Sequence, residues 1–145
     1  MEKNMYHNLM MKNQTIFTKL VFEKLTEENL SIGQPKILEY LSSHDGAIQK
    51  EIAEACNIEP ATLTSLLSRM EKMGLIRRKN MNEDKRYTCV NLTNLGRCEG
   101  KNVIKALEET EKIALKGFTK NEKEDFINYL EKVNKNLLKV KEENN

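Results

Sequence analysis

Between Ala61 and Arg86 the sequence gathers side chains suited to meeting a phosphate backbone and the edges of bases. Thr62, Thr64, Ser65 and Ser68 supply short hydroxyls, which bond either base type, and Arg69 supplies a guanidinium able to take guanine with two parallel hydrogen bonds. From Arg69 to Arg86 seven basic residues stand against three acidic ones, whereas the rest of the chain holds 17 basic and 19 acidic residues. A basic segment in an otherwise slightly acidic chain either solvates a surface or displaces the counterions condensed on a polyanion, and charge alone leaves both open.

Other chemistries find little support. Cys56, Cys89 and Cys98 form no C-x-x-C pair, and only His7 and His44 could join them, so neither a disulfide framework nor a metal site is indicated. No Gly-rich phosphate loop, nucleophile elbow, metal-binding His pair or paired catalytic acids can be found, which argues against an enzyme and against a bound cofactor.

The elements that would carry the basic segment follow from spacing. Ile48 to Cys56 reads as a short helix with Ile52 and Ala55 inward, closed by Asn57, which tolerates a left-handed backbone. After the turn Asn57-Ile58-Glu59-Pro60, Pro60 suits the first position of a second helix, whose Leu63, Leu66, Leu67 and Met70 form the inward stripe. Two short helices so joined make a helix-turn-helix. Gly74 closes the second helix, Leu75 to Lys79 is extended, and Arg86 to Leu92 returns with near alternation, which predicts a β-hairpin with basic residues at its tip.

Longer helices flank this core. Apolar residues at helical spacing from about Asn4 to Thr26 predict a first helix of about 35 Å with a stripe broad enough to pack against another chain. Ser31-Ile32-Gly33-Gln34 has capping-box spacing ahead of a helix through Ile37, Leu38 and Leu41. Thr93 caps a helix reaching about Lys116, in which Gly100 calls for a close approach or a bend. Thr119-Lys120-Asn121-Glu122 opens a last helix carrying Phe126, Ile127, Leu130, Val133, Leu137 and Val140. The expected organisation is mainly α with a small β-wing: residues 1–30 as an N-terminal dimerisation helix, 31–93 as a winged helix-turn-helix domain and 94–145 as C-terminal dimerisation helices.

This order resembles the MarR family of bacterial winged helix-turn-helix regulators. Gly33 to Leu41 looks like the family's second helix, Gln49 to Ala53 like its third, and Ala61 to Arg78 like its recognition helix entering the wing. The most specific match is Asp84-Lys85-Arg86 followed by Val90-Asn91-Leu92-Thr93-Asn94-Leu95-Gly96, which fits the family's D-x-R and V-x-L-T-x-x-G signature.

The resemblance implies a homodimer that presents two winged domains to successive major grooves of double-stranded DNA, with half-sites roughly 10 bp apart. It implies DNA contacts from Gln49, Ala61, Thr62, Thr64, Ser65, Ser68, Arg69, Arg78, Asp84, Lys85 and Arg86. Arg86 resembles the family arginine that enters the minor groove, and Asp84 resembles the acid that orients it. Many relatives release DNA when a small aromatic or anionic effector enters the cleft beside the dimerisation helices, which makes His7, Met10, Met11 and Tyr40 candidates, with core or dimer packing as their alternative. Repression is the family default. The hydroperoxide-sensing branch carries its reactive cysteine in the first helix, where this chain has none. A winged-helix module that binds protein rather than DNA is the alternative function, and it would favour exposed apolar residues where this chain carries hydroxyls and arginine.

The chain has 145 residues, a formal net charge of +2, 39% hydrophobic residues and no Trp. This suits one domain with a thin core that gains from oligomerisation. No apolar run approaches a membrane span, and Met1-Glu2-Lys3-Asn4 lacks the layout of a secretory signal, so a cytoplasmic protein is expected.

Overall fold

The computed structural model describes residues 5–25, 30–81, 83 and 87–144. Its elements run α1 (Tyr6–Lys24), α2 (Gln34–Ser43), α3 (Gln49–Cys56), α4 (Pro60–Lys72), β1 (Ile76–Asn80), β2 (Thr88–Leu92), α5 (Asn94–Ala114) and α6 (Lys120–Glu143). Contacts divide the chain into two units, Met1–Thr110 and Glu111–Asn145.

Within the first unit, Asn57 adopts φ 53° and ψ 49° after α3, the left-handed turn that sends the chain into α4. Leu63, Leu66, Leu67 and Met70 are all buried, as their spacing predicts. On α3 the buried residues are Ile52, Ala53 and Cys56, whereas Ala55 is exposed. This corrects the expected inward Ala55: positions 52, 53 and 56 share a helical face and 55 falls off it.

The Ser31–Gln34 capping box forms only in part. Gln34 Oε1 accepts from the Ser31 amide at 3.0 Å, but the helix cap is Gly33 at φ 98° and the buried Ser31 hydroxyl has no partner among the described residues. With Gly33 as cap, Ser31 stands too far upstream to reach the first-turn amides. The Thr119 box forms in both directions in the second unit, with Glu122 N donating to Thr119 Oγ1 at 3.1 Å and Thr119 N to Glu122 Oε1 at 2.9 Å.

β1 and β2 pair antiparallel from Ile76 opposite Leu92 to Asn80 opposite Thr88. The returning strand runs Thr88–Leu92, within the expected Arg86–Leu92 run, and Arg86 lies outside the described residues. Gly46 and Ala47 add a third lane: Gly46 N donates to Val90 O and Val90 N to Ala47 O, both at 2.9 Å. The core beneath collects Ile37, Leu38 and Leu41 of α2, Ile52 of α3, Leu63, Leu67 and Met70 of α4, and Leu75, Ile76, Val90 and Val103.

Two glycines let α5 seat against this core. A Cβ on Gly96 would stand 1.9 Å from the Leu75 carbonyl oxygen, and one on Gly100 would stand 2.6 Å from Ser42 Oγ. The interior Gly100 therefore marks a close approach to α2. Thr93 Oγ1 caps α5 by accepting from Gly96 N at 3.0 Å and donates to Gly74 O at 2.5 Å, tying the start of α5 to the end of α4. Among the described residues no helix is long and apolar enough to cross a membrane.

Candidate nucleic-acid interface

Helical geometry sorts the polar residues of α4 into two rows. Ala61, Thr64, Ser65 and Ser68 recur at i, i+3, i+4 and i+7 opposite the buried leucines and form an outward ridge. Thr62 and Arg69, seven apart, lie on the flank: each lines a groove between α4 and α1. The structure thus brings the expected contact residues of α4 onto one exposed side, with two of them turned toward α1.

Hydrogen bonds restrict what the ridge hydroxyls offer. Thr64 Oγ1 donates to Pro60 O at 3.0 Å and accepts from Gln49 Nε2 at 3.5 Å, so Gln49 of α3 reaches across the turn to the ridge. With its proton directed at its own helix, Thr64 presents an acceptor outward. Ser68 Oγ accepts from Arg78 Nη2 at 3.2 Å.

Arg78, placed in the sequence reading among the DNA contacts, is engaged inside the protein. Its Nε and Nη2 donate to Glu71 Oε1 at 3.3 and 3.0 Å, and its backbone N donates to Glu71 Oε2 at 3.0 Å. These bonds, the backbone one first, hold the Glu71 carboxyl below the ordinary carboxylate range. Arg77 and Lys79 on the same strand are exposed.

Asp84, Lys85 and Arg86 lie outside the described residues. The base of their hairpin is set by Asp45, whose Oδ1 accepts from Leu92 N at 2.8 Å and whose Oδ2 lies 3.4 Å from Arg97 Nη1. Neither Asp45 nor Glu71 stands out in the sequence, because partners 47 and seven residues away on other elements leave no periodic signal.

The effector candidates fall on α1 and α2. His7, Met10 and Met11 are exposed on α1, and Tyr40 stacks on His44 with centroids 4.2 Å apart and planes 7° from parallel. None of the four lines the groove of about 620 Å³ that runs beside α1 and α2, where Phe17, Val21, Phe22, Pro35, Ile58 and Leu107 form the walls. Glu59 and Thr62 bring the start of α4 to the same groove. Burial pushes the Cys56 thiol up, with Lys36 opposing it, and Cys98 is exposed. Among the described residues no three His, Cys, Asp or Glu side chains are placed to hold a metal ion.

Helix-turn-helix, wing and hydroxyl ridge together define a winged-helix regulator, and comparison with known proteins agrees. The MarR family profile matches residues 30–88. An organic hydroperoxide resistance transcriptional regulator of Bacillus subtilis is 31% identical over 103 residues, covering 65% of this chain and 70% of the relative. The Staphylococcus aureus MepR–DNA complex superposes with a TM-score of 0.83 at 24% identity over 94% of this chain and 99% of that one. The Streptomyces coelicolor PcaV regulator, crystallised with its natural ligand, gives 0.78 at 18% identity over 91% and 93%. The chain belongs to the MarR family of transcriptional regulators, and its relatives are regulators rather than enzymes.

Proposed function

We propose that this protein is a cytoplasmic, homodimeric repressor that reads a pseudo-palindromic operator in double-stranded DNA and is released by a small aromatic or anionic effector. The observation that carries the reading is the outward ridge of Ala61, Thr64, Ser65 and Ser68 on an exposed helix beside a basic wing. Ridge residues meet base edges while Arg69 and Lys85 meet phosphate, with Arg86 entering the minor groove and Asp84 orienting it.

Dimerisation is supported by each unit separately. Met5, Tyr6, Leu9, Met10, Met11 and Ile16 are exposed on and beside α1, and α6 buries none of its residues while exposing Phe126, Ile127, Tyr129, Leu130, Leu137, Leu138 and Val140. Apolar faces of this extent call for a partner. An effector in the α1–α2 groove would touch Glu59 and Thr62, and so act where the recognition helix begins. It must bind the DNA-competent and DNA-incompetent states unequally to act at all. The B. subtilis relative is named for hydroperoxide resistance. Here α1 carries no cysteine at the position the hydroperoxide-sensing branch uses, which favours a bound molecule over oxidation of a thiol in α1 as the signal.

The test is selection of duplexes from a random-sequence pool by the purified protein. Enrichment of a two-fold-related motif with half-sites about one helical turn apart is expected. Recovery of no motif contradicts the reading and favours a protein-binding winged helix. With the enriched duplex, Arg86→Ala should lower affinity while leaving the fold intact.

A further inference from the structure

Glu71 sits in the last turn of α4, and Arg78 is the third residue of β1. Three donors of Arg78 converge on this one carboxylate, and the same guanidinium reaches Ser68 Oγ on the ridge. The backbone donor follows from sheet register. Arg78 stands opposite Val90, whose amide and carbonyl both bond the Gly46–Ala47 lane, so the Arg78 N–H turns away from the hairpin toward α4. Glu71 caps that outward edge while gripping the side chain of the same residue.

Exposed ion pairs contribute little to folding, and Leu75 and Ile76 already anchor the base of the wing by burial. What three charge-assisted bonds to one residue supply is orientation. Arg78 also leaves its mark on the ridge. Ser68 accepts from the guanidinium, and among the described residues no acceptor takes its own proton, so Ser68 faces outward as a hydrogen-bond donor, the reverse of Thr64.

We propose that Glu71 and Arg78 form a staple that fixes the wing against the recognition helix, so that both meet DNA in one register, and that Arg78 acts as a positioning residue with no phosphate contact of its own. The proposal rests on the DNA-binding reading. Recognition helix and wing enter different grooves, so an angular error between them forfeits one set of contacts even with every contact residue present.

Glu71→Ala, Arg78→Ala and Arg78→Lys would be compared with the wild type by fluorescence anisotropy on the enriched duplex and on a shuffled one across a salt series. Amide exchange would be followed at Arg78. Removing the Glu71 charge should by Coulomb attraction alone tighten binding to both duplexes. The staple predicts the opposite on the enriched duplex, a loss of about tenfold, with binding to the shuffled duplex unchanged or tighter. Arg78→Lys keeps the charge but loses the fork, and should behave like Arg78→Ala, both with the wild-type salt slope. A slope reduced by about 0.9 would show that Arg78 binds a phosphate directly and would overturn the positioning role.

Wild-type discrimination with an unchanged Glu71→Ala variant would overturn the staple and leave the DNA reading standing. A wild type that prefers neither duplex would overturn the DNA reading, and with it the register argument. Loss of exchange protection at the Arg78 amide in Glu71→Ala, with Val90 still protected, is the expected sign of the staple in the free protein. Unchanged protection would overturn it without reference to DNA.

Discussion

Replacing Gly96 with Ala tests how α5 seats on the winged domain, and the size of the effect can be worked out from the contacts. The added methyl would fall 1.9 Å from Leu75 O, 3.0 Å from Leu75 C and 3.2 Å from Leu92 Cδ2. Leu75 O cannot swing aside, because it accepts from Thr93 N at 3.0 Å and belongs to the chain that joins α4 to β1. To reach ordinary contact the helix must therefore shift by more than 1 Å, straining the Thr93 bonds to Gly74 O and Gly96 N. Overpacking of this kind costs about 3 kcal/mol, at the upper end because the obstacle is backbone. Better helix propensity returns about 1 kcal/mol.

The net loss of about 2 kcal/mol corresponds to a fall in Tm of about 8 °C for a unit of this size. Gly100→Ala is the internal control. Its methyl meets Ser42 Oγ at 2.6 Å, the end of a side chain that can rotate away by giving up its 2.7 Å bond to Leu38 O. That loss of about 1 kcal/mol is offset by the same propensity gain, leaving Tm close to wild type. Thermal unfolding by circular dichroism distinguishes the two. Equal Tm values for the variants, or Gly100→Ala the less stable, would refute the assignment of the close backbone approach to Gly96.

Three further outcomes follow from the site. The Glu71 carboxyl is held below its ordinary range, so its folded-state pairing is present above the unfolded pKa near 4.5 and is lost as pH falls through the lower folded value. Because the pair is substantially exposed, the stability difference between wild type and Glu71→Gln should stay under about 1 kcal/mol at pH 7 and vanish in acid, measured by urea unfolding across pH. Buried Cys56, its thiol pushed up, should react slowly with iodoacetamide at neutral pH while exposed Cys98 reacts first, as peptide mass spectrometry after timed labelling would show. Phe22→Ala, which opens a wall of the α1–α2 groove, should weaken an effector found by ligand screening while leaving affinity for the enriched duplex within about twofold, by anisotropy and calorimetry.

Much of the fold was legible because it rests on periodicity and punctuation. The stripe Leu63-Leu66-Leu67-Met70, the left-handed Asn57 and the Thr119–Glu122 box each carry their signal within a few residues, and each appears as expected. Errors came where one residue changes the frame. Gly33 took the cap from Ser31, and an eight-residue helix gave too few turns to decide between Ala55 and Ala53 as the inward position. The contact residues on α4 could be nominated by type, but Glu71 and Asp45 could not. Their partners Arg78, Leu92 and Arg97 lie on elements whose placement is a property of the assembled fold. The same holds for the polarity of the ridge, where Thr64 and Ser68 look interchangeable until their internal bonds are known.

DNA recognition is tested most directly by fluorescence anisotropy of the wild-type protein on its enriched duplex and on a shuffled duplex, from about 50 to 200 mM salt. The expected result is a preference of at least about 10³ for the enriched duplex, with affinity falling steeply as salt rises. Equal, weak binding to both duplexes at every salt concentration would contradict the assignment of the α4 ridge and wing as a DNA-reading surface.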